Sequence, residues 1–153
     1  IKACLEGRIK LTDEAFHMLL EADRLDFKEV IEFNSSVGTD YLILDRYTLS
    51  NLAFGMAKGL DLDWLIQLQS PLPKADITFV LDISTETSLK RKNRSERDVH
   101  ELDLSLLNRA KAAYVFLANK LSKEELIYVI DANHASPESI HDVIVSHLAL
   151  LQD

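Results

Sequence analysis

The sequence predicts an α/β fold, a parallel sheet covered by helices, from three observations. Short apolar runs suited to buried strands recur at Tyr41 to Leu44, Ile77 to Ile83 and Leu126 to Ile130. The segments around them carry apolar residues at three- and four-residue spacing, as amphipathic helices do. Strands that alternate with helices in this way pair in parallel through right-handed crossovers.

The chain opens in what reads as the tail of a helix ending near Gly7. Thr12 or Asp13 then starts a long helical pattern, whose stripe runs through Phe16, Leu19, Leu20, Asp23, Phe27, Val30, Ile31 and Phe33 until Gly38 closes it. Thr12 and Ala15 do not complete a capping box, so the exact start is open. The run Tyr41 to Leu44 ends in charge at Asp45 and Arg46, and Thr48 or Ser50 is placed to cap a following helix. A strand that delivers a carboxylate and a guanidinium to its C-terminal end delivers them where open α/β sheets bind ligands. The plainer reading of the Asp45–Arg46 pair is a strand-end salt bridge.

Thr48 to Lys58 and Asp61 to Leu68 read as helices, and Trp64 on the second reads as a packing residue. Pro71 and Pro73 mark the loop before the second strand, after which Ser84 or Thr85 caps a short helix over Glu86 to Lys92. Leu102 to Leu121 is a long helix with Leu106, Leu107, Ala110, Ala113, Tyr114 and Leu117 on its apolar stripe. The third strand ends at Asp131. Pro137 suits the first turn of a last helix, which presents Ile140, Val143, Ile144, His147 and Leu148 on one face. His141 and His147 lack a helical four-residue spacing and a nearby Cys, so they read as surface or core rather than metal ligands, and His134 reads as loop.

At 153 residues with 47% hydrophobic content, the chain suits a single domain over 1–153 with a sizeable core. No apolar run approaches the ~20 residues that span a bilayer. A net charge of −8 argues against broad nucleic-acid binding and against an anionic membrane surface, since phosphate contacts need a positive face. Positive charge is instead concentrated in Lys90, Arg91, Lys92, Arg94 and Arg97. The single cysteine, Cys4, reads as a small apolar residue and makes a reducing cytoplasm the default location.

Asp45-Arg46-Tyr47, then Ser50-Asn51, then Ala53-Phe54, resembles the Asp-Arg-Tyr motif of thymidylate kinases, which phosphorylate dTMP to dTDP with ATP and magnesium. The resemblance extends in register through Leu19 to Arg24, Ala57-Lys58, Leu62-Asp63-Trp64, Leu72-Pro73-Lys74-Ala75-Asp76 and Asp98-Val99-His100-Glu101. It implies the P-loop nucleoside monophosphate kinase architecture, with a lid at about 91–101.

By that resemblance, Arg24 and Arg46 hold the acceptor phosphate, a task that suits a guanidinium because it stays charged and grips oxygens in pairs. A lone helical arginine such as Arg24 is otherwise a solvated or paired surface residue. Asp45 is implied to organise Mg2+ or its waters and to orient Arg46. Asn51 is implied to read the polar edge of thymine and Phe54 to pack near the sugar, while Ser50 ties the loop or touches substrate. Leu20 occupies the place where the family commonly stacks an aromatic ring on the base. Arg91 is implied near adenine, and Arg94 and Arg97 near the phosphates, without distinguishing which of these two acts in catalysis. Glu101 matches an acidic residue that follows the lid; equally, it is a charge at a helix N-terminus. The resemblance also implies a homodimer, packed through the Phe16 to Phe33 face or the Ser50 to Ala57 face, each of which is otherwise internal core.

Kinases of this kind also carry a Gly-x-x-x-x-Gly-Lys-Ser/Thr loop that cradles the ATP phosphates. None of the four glycines, Gly7, Gly38, Gly55 and Gly59, lies in that pattern. The expectation is that these residues are an incomplete part of a kinase, inactive as written and active as the full gene product. Two alternatives stay open: another nucleoside or nucleotide kinase of the same fold, and a non-catalytic nucleotide-binding remnant.

Overall fold

The structure, a computed structural model, describes residues 1–91 and 103–151. A single turn, α1 (Lys2–Leu5), leads through Gly7 at φ 71° into α2 (Asp13–Asp26), which Thr12 caps by accepting from the Ala15 N–H at 3.2 Å. The long helical pattern is broken once, at Phe27 (φ −93°, ψ 0°), where α2 ends and α3 (Lys28–Ser36) begins. Gly38, at φ 73°, turns the chain after α3 as expected.

The segment 41–44 is not a strand, contrary to its apolar pattern. Among the described residues the sheet has two strands, β1 (Thr78–Asp82) and β2 (Ile127–Asp131), paired in parallel from Thr78 opposite Ile127 to Asp82 opposite Asp131. β-forming side chains make a strand only where a neighbouring strand accepts the backbone bonds, and no described strand flanks 41–44. Ile43 is 89% exposed in consequence. Asp45 and Arg46 therefore sit in a turn after an extended segment, and α4 (Thr48–Ala57) follows at once. Neither Thr48 nor Ser50 caps α4: its N-cap is Tyr47, without a side-chain cap bond, and the Ser50 hydroxyl accepts from Arg46 instead.

Asp61 caps α5 (Leu62–Gln69) through the Trp64 N–H at 2.8 Å, and Trp64 packs on the core as its sequence suggests. Ser84, rather than Thr85, caps α6 (Thr85–Arg91), its hydroxyl accepting from the Thr87 N–H at 3.1 Å. Asp103 caps α7 (Leu104–Leu121), and Pro137 takes the first turn of α8 (Pro137–Ala149). The ring of His147 stands edge-on to Tyr128, 4.2 Å between centroids, so this histidine packs on the sheet.

The core forms where α4 crosses α7. Leu49, Leu52 and Ala53 from α4 meet Ala113 and Leu117 from α7, with Leu65 of α5 and Val80 of β1 closing the cluster. Leu106, Ala110, Ala113 and Leu117 are all buried, so the α7 stripe is legible in the sequence. The α2–α3 stripe behaves differently: Phe16 and Ile31 are buried, but Phe27, Val30 and Phe33 are 53%, 41% and 63% exposed. Of the two faces considered for subunit contact, the α4 face is therefore internal core and the α2–α3 face is open. The strands are also less buried than their apolar runs imply, with Leu81 and Val129 both nearly half exposed. The two lie on opposite faces of the sheet, since Val129 pairs with the buried Val80 and Leu81 with Ile130.

Gly55 is a close-approach position, because a Cβ there would lie 2.6 Å and 2.8 Å from the two methyls of Leu65. Leu65 is fully buried and has no solvent to move into. Gly55→Ala is expected to lower stability by about 1–3 kcal/mol through overpacking, read as a lower denaturant midpoint at unchanged slope. Equal or raised stability would show that α5 shifts freely away from α4.

Candidate functional site

Helical periodicity places His17, Glu21 and Arg24 on one side of α2, at i, i+4 and i+7. Arg24 is the outermost, with only 15% of its side chain exposed. One guanidinium nitrogen, Nη1, donates to Glu21 Oε1 at 3.1 Å, and the other, Nη2, donates to the backbone carbonyl of Arg46 at 3.1 Å. The residue that accepts this bond has a left-handed backbone, φ 57°, unusual for a side chain other than glycine. The left-handed turn at Arg46 and its link to α2 thus occur at one residue.

The side chain of Arg46 runs along the first turn of α4. Its Nε donates to Ser50 Oγ at 3.3 Å, and its guanidinium carbon lies 4.9 Å from the centre of the Phe54 ring. Both arginines line one cleft of about 390 Å³, formed by α2, the start of α3 and the turn at 45–47, with Leu20 and Asp45 also in its wall. Asp23 and Asp26 line it too, and both are exposed, so water and salt screen their charge. A cleft with two fixed guanidiniums at its wall can hold a doubly charged monoester by charge-assisted hydrogen bonds.

The remaining expected site residues fall into separate places. Ser50 and Phe54 support Arg46 from beneath, and Phe54 lines a second, smaller cavity between β1 and α7 rather than the cleft. Asn51 is 1% exposed and turned inward, where its Oδ1 accepts from Nδ1 of the buried His17 at 2.5 Å. Arg91 lies apart from the cleft: its Nη2 donates to the carbonyls of Ala132 at 2.9 Å and Asn133 at 3.2 Å, which ties the end of α6 to the loop after β2. Arg94, Arg97 and Glu101, and with them nearly all of the expected lid, lie outside the described residues.

Two residues at this site went unnoticed in the sequence, His17 and Glu21. They are 1% and 0% exposed, and with Asn51 they form a polar layer between α2 and α4. Burial pushes the Glu21 carboxyl above its usual range, and the charge of Arg24 and the nearby Asn51 amide offset only part of that push. The Asn51 amide stands beside this carboxyl without reaching full hydrogen-bonding geometry. The available signal was the i, i+4, i+7 spacing of three polar residues with Phe16 adjacent, which places them toward the core side.

Among the described residues, no group of three or more His, Cys, Asp and Glu side chains is arranged to hold a metal, and no helix is long and apolar enough to cross a membrane.

The family model described as thymidylate kinase matches residues 1–144. The chain is 32% identical over 138 residues to a probable thymidylate kinase of Pyrococcus horikoshii, covering 90% of this chain and 65% of that protein. To the thymidylate kinase of Arabidopsis thaliana it is 28% identical over 148 residues, covering 97% of this chain and 54% of that protein. The chain thus spans about two thirds or less of the length of these relatives. Its fold matches that of the thymidylate kinase of Candida albicans with a TM-score of 0.75 at 22% identity, over 99% of this chain and 73% of that structure.

Proposed function

The chain belongs to the thymidylate kinase family, and from that premise we propose that the protein transfers the terminal phosphoryl group of ATP to the 5′-phosphate of dTMP, giving dTDP. The observation that carries this reading is the convergence of Arg24 and Arg46, from two different elements, on one cleft. Phosphoryl transfer is chiefly a matter of positioning two anions and neutralising the charge that spreads over the transferred group. In the proposed arrangement Arg24 and Arg46 grip the acceptor phosphate, and Leu20, one turn before Arg24 on α2, packs against the base.

Asp45 is exposed at the turn and is the carboxylate assigned to magnesium. A single carboxylate suits such an ion, since Mg2+ bound to a nucleotide takes its ligands mainly from phosphates and water, with one or two carboxylates from the protein. When bound, the ion neutralises charge on the phosphates. Arg91 keeps its assignment to the adenine side, supported by its tether to the loop after β2. Arg94 and Arg97 are assigned to the ATP phosphates and Glu101 to orienting its neighbours, on the resemblance alone. Asn51 keeps its assignment to the base, and its inward orientation then requires a rotamer change when substrate binds. A homodimer and a cytoplasmic location complete the proposal; the exposed Phe27, Val30 and Phe33 support the former.

The test is ADP release by the full gene product with ATP and magnesium, offered dTMP, dUMP, dCMP or thymidine. The expected result is turnover with dTMP in clear preference to the others. Preference for thymidine would instead make the protein a nucleoside kinase, and binding of dTMP without turnover would make it a non-catalytic nucleotide-binding protein.

A further inference from the structure

We infer that Glu21 is a positioning residue that holds Arg24 in the orientation required to receive the acceptor phosphate. The inference rests on the reading of the cleft given above. Three observations carry it. Glu21 is fully buried, although an apolar side chain of that size would fill the space without the desolvation that a carboxylate suffers. Its one hydrogen bond among the described residues is the one from Arg24 Nη1. That bond and the one from Nη2 to the Arg46 carbonyl hold the guanidinium from two elements at once, leaving three of its five N–H donors for a ligand.

The contacts between α2 and α4 explain why the carboxylate itself stays put. Lys58, at the C-cap of α4, bonds to Asp13 at the start of α2 and so fixes α2 against α4 independently of Asn51, while before substrate binds His17, one turn before Glu21, also donates to Asn51. Glu21 thus sits on a braced helix and passes that rigidity to a side chain that otherwise has wide rotamer freedom. Its charge works in the opposite sense, since a carboxylate beside Arg24 weakens the pull on a phosphate. The two effects predict opposite outcomes when Glu21 is replaced.

Glu21→Gln keeps the acceptor oxygen and removes the charge, whereas Glu21→Leu removes both at similar volume. If Glu21 positions Arg24, E21L raises KM for dTMP about tenfold, the scale of an arginine regaining its rotamer freedom. The kcat and the KM for ATP then stay within about threefold of wild type, and E21Q restores KM for dTMP to within the same margin. An unchanged or lowered KM for dTMP in E21L overturns the inference, the latter because it would mean that Glu21 acts by neutralising charge. A second readout needs no substrate: the 15N resonance of Arg24 Nε reports a restricted side chain in wild type and E21Q and a mobile one in E21L. Equal mobility in all three also overturns the inference. Should E21L not fold, Glu21→Met replaces it with the same expectations. Absence of dTMP turnover in wild type would defeat the proposed function but leave the resonance measurement to decide the role of Glu21.

Discussion

Arg46→Ala is expected to lower kcat/KM for dTMP by about 30- to 1000-fold, which corresponds to roughly 2–4 kcal/mol for a charged partner removed from a phosphate. The fold is expected to survive. Arg46 is exposed, its contact with the Phe54 ring is worth only about 0.5–1 kcal/mol at an exposed site, and the bond it accepts from Arg24 uses its backbone carbonyl, which alanine retains. Arg46→Lys is expected to recover part of the loss, because lysine keeps the charge but offers a point contact in place of a paired one. Steady-state ADP release with varied dTMP measures both variants. A kcat/KM for R46A within threefold of wild type would remove Arg46 from the acceptor site and leave the Asp45–Arg46 pair as a feature of the turn.

The largest effect on stability is expected from Leu117→Ala. Leu117 is fully buried on α7 and belongs to the cluster where that helix crosses α4 and meets β1 and α5, so truncation opens a cavity that several elements would have to move to fill. The expected loss is about 2–5 kcal/mol. Against the ~5–15 kcal/mol of a typical domain that is a large fraction of the total. Leu150→Ala serves as the control, because Leu150 is 69% exposed and its truncation is expected to change stability by no more than about 0.5 kcal/mol. Denaturant unfolding of the two variants decides the matter. Similar losses in both would mean that the α4–α7 contact is not where the fold gains its stability.

These expectations draw unequally on sequence and structure. The helices were legible from unequal signals: Asp61 at the start of α5 and Pro137 in the first turn of α8 punctuate those two, α7 shows an unbroken helical period, and α4, which forms the core with α7, has no capping side chain. The segment 41–44 was misread because its local signal, a short apolar run, is shared by strands and by unpaired extended chain. Whether the face of α2 and α3 is open or internal was left undecided by the sequence for a related reason. Periodicity identifies a stripe but not what covers it, and here the side of α2 turned to α4 carries His17 and Glu21 beside Phe16.

Within the candidate site, it was the family resemblance that singled out Arg24 and Arg46, which lie 22 positions apart and meet through a side chain and a carbonyl. The same resemblance gave no hint that Asn51 turns inward to His17 or that Arg91 is tied to the loop after β2. Side-chain direction depends on which partner comes within about 3 Å, and long-range partners are set by packing.

By itself, then, the sequence determined the family, the helices and the pair of guanidiniums, because each is encoded in residues close together along the chain or in a motif of fixed order. Only the tertiary structure decided that 41–44 stays out of the sheet, that a buried carboxylate stands behind Arg24, and that the Arg46 carbonyl closes the link between α2 and α4. Those outcomes depend on distances between segments remote in the chain, which burial and hydrogen-bond satisfaction fix only when the whole domain packs.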